Sequence, residues 1–134
     1  MFKLFSLEEA NNLIPHIDPL LSTMQTNVDA ILRLRKEIAE CRPHSVEMRN
    51  KTQELNFLVR DVQQSKLELD KLGVFLKDVD TGLVDFPSQV GAEVVYLTWE
   101  KGQDSITHYH RLSEGTKLPL EPLAFAAVKP SIQI

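Results

Sequence analysis

The 134-residue sequence has one cysteine, Cys41, so no internal disulfide can form and no thiolate cluster can hold a metal. It has no excess of positive charge: 15 Lys and Arg stand against 19 Asp and Glu, a net charge of -4 that disfavours general binding to nucleic acid or an anionic membrane. No apolar run approaches the length that crosses a bilayer, and the opening MFKLFSLEE lacks the charged and apolar regions of a secretory signal, so the chain reads as cytoplasmic. Motifs of known catalytic mechanism are absent too. What is present is an ordinary soluble composition, 43% hydrophobic and 25% charged, long enough to bury one core without disulfides or a structural metal.

Two long amphipathic helices come first. Ser6 and Glu9 form a capping box, which starts a helix at Leu7. Ala10, Ile17, Met24, Ile31 and Ile38 then recur every seven residues, with Ile14, Leu21 and Val28 between them, a coiled-coil-like seam. Pro15 and Pro19 fall inside this pattern and predict a kink, since each removes a backbone donor and crowds the preceding turn. Pro43 ends the helix near residue 41. A second helix is predicted over 46–72, on Leu55, Val62 and Leu69, with Gly73 as its terminator. The short connection forces an antiparallel hairpin, too long to bury against a small sheet, and pairing with a second copy would cover its outer stretch. A homodimer is therefore expected.

After Gly73 the pattern changes to short extended runs at about 74–79, 83–86, 93–99 and 105–112, separated by glycine-containing turns. Pro87 is read as the end of the second run. The fold class that follows is α+β: a helical hairpin packed on a small antiparallel meander, as one domain over 1–120. Residues 121–134 form an apolar, proline-containing tail that must dock on its own domain or on a partner.

Chemistry-bearing residues gather in the meander. Alternation puts Ile106, His108 and His110 on one face of the last strand, and an H-x-H pair with Glu114 could ligate a metal, Asp85 assisting as a base. The plainer reading is two half-exposed histidines. Asp85, before Phe86-Pro87, is expected to accept backbone N–H groups of its own turn, and Trp99 to pack on a sheet face, with a place at the border of a cleft as the alternative. At the hairpin tip Arg33, Arg35, Lys36, Arg42, Arg49 and Lys51 cluster, but interleaved glutamates and the lack of an aromatic residue argue against nucleic-acid binding there.

The stretches FSLEEANNLIPHIDPLL, GVFLKDVDTGLVDFP and VVYLTWEKGQDSITHYHRLSEG, over residues 4 to 120, resemble the uncharacterised prokaryotic family known as domain of unknown function 2203. The resemblance falls on Pro15, Pro19, Gly82 to Pro87, Tyr96 to Trp99, His110 and Glu114-Gly115, and it implies no activity, cofactor or substrate. It adds weight to Asp85, Trp99, His110 and Glu114 as ligand-binding candidates, while His108 departs from the family pattern. The reading that follows is a non-enzymatic interaction or ligand-binding module without a cofactor, self-associating through the hairpin and open to a protein partner on the sheet. The alternative is a metal-assisted hydrolase using His108, His110, Glu114 and Asp85.

Overall fold

The computed structural model describes residues 3–111 and 118–119. Helix α1 (Leu7–Glu40) and helix α2 (Val46–Leu72) form the hairpin, and strands β1 (Phe75–Asp78), β2 (Leu83–Val90), β3 (Glu93–Glu100), β4 (His108–Arg111) and β5 (Leu118–Pro119) form an antiparallel sheet in sequential order. The architecture is the predicted α+β hairpin on a meander.

The helix ends are where local chemistry sets them. Ser6 Oγ accepts the Glu9 amide at 3.0 Å and Glu9 Oε1 accepts the Ser6 amide at 2.9 Å, the reciprocal pair of a capping box. Ser45 caps α2 through the Met48 amide. At the other end Gly73, at φ 85°, donates to Asp70, and Val74 donates to Leu69, a Schellman closure that needs a left-handed residue. Helix α1 runs unbroken through Pro15 and Pro19.

Ala10, Ile14, Ile17, Leu21 and Met24 of α1 pack with Leu69 of α2 against Val84, Phe86, Val95, Leu97 and Trp99 of the sheet, and this is the core. Three polar side chains tie α1 to the sheet side: Asn11 accepts the Ile106 amide, Gln25 donates to the Val79 and Asp80 carbonyls, and Asp18 pairs with Lys101. Beyond Gln25 the hairpin continues as a two-helix arm, about 22 Å long at about 1.5 Å per residue over 26–40.

Two expectations about strand limits are corrected. Pro87 does not end β2, which runs on to Val90 with Pro87 opposite Tyr96. By then β1 has finished, so the ring faces an open edge where no ladder donor is required. That edge is closed by the N-terminal segment: the Phe5 amide donates to the Pro87 carbonyl at 2.7 Å, and buried Ser88 Oγ donates to the Phe5 carbonyl at 2.6 Å. Strand β4 is also shorter than expected, because the chain between Lys101 and Thr107 turns inward and buries Ile106 in the core. The tail 121–134 lies outside the described residues.

Candidate functional site

A two-residue connection, Gly91-Ala92, joins β2 to β3 and sets their register, so that Val90 faces Glu93 and Asp85 faces Thr98. Register then decides faces. Val84, Phe86 and Ser88 lie on the helix side with Val95, Leu97 and Trp99, whereas Asp85 and Pro87 lie on the outer side with Tyr96 and Thr98. Pairing of Tyr96 with His110 and of Thr98 with His108 adds both histidines to that outer face.

The outer face centres on Asp85, whose side chain is only 3% exposed. Thr98 Oγ1 donates to its Oδ1 at 2.9 Å, His110 Nε2 donates to its Oδ2 at 2.8 Å, and the Lys77 ammonium of β1 stands 3.9 Å from Oδ2. Groups from three strands thus converge on one carboxylate of a fourth. His110 reaches over β3 to do so, its ring stacked on Tyr96 at 5.2 Å, and Phe75 of β1 leans onto Tyr96 from the other side at 6.1 Å. An ionised carboxylate buried this deeply needs such partners, because desolvation costs several kcal/mol when they are missing.

The sequence candidates separate accordingly. Asp85 and His110 share a face and are in direct contact. The Asp85 carboxylate takes its bonds from Thr98 and His110 and not from its own turn, since Asp85 is mid-strand. Trp99 is not brought to them: it sits in the core on the opposite face, 1% exposed, with Nε1 donating to the Gln103 carbonyl. Ile106 likewise leaves the histidine face for the core. Glu114 lies outside the described residues. Thr98 and Lys77 were missed, although a strand alternation counted back through the Gly91-Ala92 turn places Thr98 opposite Asp85.

This arrangement orients groups more than it frees them. His110 sets Nε2 against Asp85 and Nδ1 3.2 Å from the Arg111 carbonyl, so both ring nitrogens are engaged by protein groups and neither is open to a metal in this rotamer. His108 turns Nδ1 to the Thr107 hydroxyl at 2.8 Å. Among the described residues no three His, Cys, Asp or Glu side chains are placed to hold a metal ion.

The arm carries an ion pair of its own. The Lys51 ammonium, 2.7 Å from Glu37, holds the Glu37 carboxyl below its usual range by hydrogen bonding, and Glu37 in turn raises Lys51. No helix among the described residues is long and apolar enough to cross a membrane.

Comparison with known proteins agrees on family and is silent on activity. The model of an uncharacterized conserved protein family, DUF2203, matches residues 3–118, so the chain belongs to that family. No curated protein matches, and neither does any solved structure.

Proposed function

We propose that this DUF2203 member is a binding module that self-associates through its helical arm and offers the outer sheet face around Asp85 and His110 to a partner or small ligand. The single observation that carries the reading is the uneven burial of the arm. From Val46 to Gln64 no residue of α2 is fully buried, although Leu55, Leu58, Val59 and Val62 follow a helical apolar stripe. Phe57, at 67% exposure, and Val46, at 63%, lie on the same helix, and Leu32 of α1 is 58% exposed. Two arms side by side make a four-helix bundle that covers these stripes, and a two-fold arrangement gives each copy the same contacts. The lone Cys41 accords with a reducing cytoplasm.

Static light scattering over a range from low to high micromolar concentration tests the association. The expected result is a dimer mass that falls towards the monomer on dilution, and a monomer throughout for Phe57→Glu, a change on an exposed position that leaves the core intact. A wild-type monomer at every concentration overturns the self-association.

A further inference from the structure

At the base of the hairpin, on the side of the helix seam turned away from the sheet, lies a groove of about 570 Å³. Its floor is Leu13 and Leu20 of α1 with Leu72 of α2, all half-buried, and the Pro19 ring walls one end. Its rim carries three exposed ionisable groups, His16, Glu68 and Lys71. Among the described residues no ion pair engages any of these three side chains, in contrast to Lys51, Lys77, Lys101 and Arg111, each of which has an acidic partner. The volume is in the range of small-molecule sites, which combine an apolar lining with a few polar groups that fix orientation.

We propose that this groove binds a small amphipathic monoanion, an apolar chain ending in a carboxylate. The chain lies on Leu13, Leu20 and Leu72, and the carboxylate meets the Lys71 ammonium with His16 as a second donor. Glu68, on the same rim, selects against a dianion such as a phosphate monoester, because a second negative charge has no unpaired cation left to meet. Two donors, Lys71 and His16, face the carboxylate against the single acidic group Glu68, so an uncharged amphiphile leaves Lys71 unpaired and a cationic one meets Glu68 alone with Lys71 opposing it. The groove is at the opposite end of the hairpin from the arm, so the proposal stands apart from self-association.

The test is titration of the full chain with decanoate below its micelle concentration, by calorimetry and by amide shifts, with decylamine and decanol as controls. Decanoate is expected to saturate at one per chain and to shift the amides of Leu13, His16, Leu20, Glu68, Lys71 and Leu72. Lys71→Glu is expected to weaken it by about tenfold or more, the loss of one charge-assisted contact, and His16→Glu by less. Both positions are exposed, so the variants keep the fold. Equal binding of decylamine, or undiminished decanoate binding by Lys71→Glu, reduces the site to apolar adsorption and overturns the proposal. Absence of saturable binding, or shifts confined to other residues, overturns it as well.

Discussion

The two halves of the hairpin share one apolar rhythm but differ in what that rhythm buries. In the base, Ala10, Ile17 and Leu21 are fully buried because the sheet supplies a second surface across from α2. In the arm the same spacing gives Ile31 and Leu34 at 7% and 2% exposure, while Ile38 and Leu55 are only half-covered. Periodicity therefore says which side chains face the neighbouring helix; two layers bury only the centre of that stripe, as at Ile31 and Leu34, and a third layer extends burial across it.

The strongest way to break this comparison is truncation on each side of the divide. Leu21→Ala, at a site of 0% exposure in contact with sheet and helix, is expected to cost about 2–5 kcal/mol, whereas Leu58→Ala in the arm is expected to cost less than about 1.5 kcal/mol, because water already reaches it. Urea denaturation at low protein concentration measures both. Equal losses would mean that the arm is as tightly packed as the base.

The sheet side of the base has a second contrast, between its two faces. The helix-facing side is held by apolar contact, the outer side by one buried carboxylate. Asp85→Ala leaves the Thr98 hydroxyl and the His110 N–H without their acceptor, and an expected loss of about 2–3 kcal/mol follows from two orphaned donors offset by the removed desolvation. His110→Phe keeps the ring on Tyr96 and deletes the bond to Asp85. If the pair is the hub of the outer face, the double-mutant cycle returns a coupling above about 1 kcal/mol, and additive losses would show that Thr98 and Lys77 suffice.

Legibility in the sequence follows the same divide. The capping box at Ser6, the Gly73 terminator and the seven-residue repeat are local, and each stands where the residues placed it. The reach of β2 past Pro87 was not legible, because whether a proline ends a strand depends on which edge is free, and Phe5, far away in sequence, closes that edge. The grouping of Asp85 with His110 came from the family resemblance and from residue type, with Asp85 read as part of a turn and not as a strand residue paired with Thr98. Trp99 was assigned to the same place although it is on the other face: the pairing Asp85 with Thr98 puts its neighbour Trp99 opposite Val84 on the helix side, a consequence of register that residue type does not carry.

Exchange of backbone amides sharpens the first comparison without mutation. Amides of 49–61 in α2 are expected to exchange through local opening at lower free energy than those of 66–72, since the former rest on one half-covered seam and the latter on the core around Leu69. In the wild type this gap should narrow as concentration rises, if dimerisation covers the arm. A gap that is absent at low concentration would contradict the burial pattern.

The smallest expected effect is electrostatic and belongs to the arm. Lys51 joins α2 to Glu37 of α1 at 2.7 Å, and Arg33 adds a longer contact to the same carboxylate at 3.7 Å. Because the folded state holds the Glu37 carboxyl below its usual range, its contribution is complete above that range and is lost as pH falls through the lowered value; the folded state binds this proton less readily than the unfolded chain does. Lys51, raised by Glu37, contributes below its ordinary value and loses that contribution as pH climbs through the raised one. Between these limits the pair's effect is flat with pH. Both side chains are partly exposed, 26% and 36%, so solvent screens them and added salt should shrink the effect. Thermal melts of wild type and Glu37→Gln should therefore differ by a small, constant amount near neutrality, converge in acid, and draw closer in high salt. A difference that grows in acid would reverse the sign assigned to Glu37 and detach the pair from the stability of the arm.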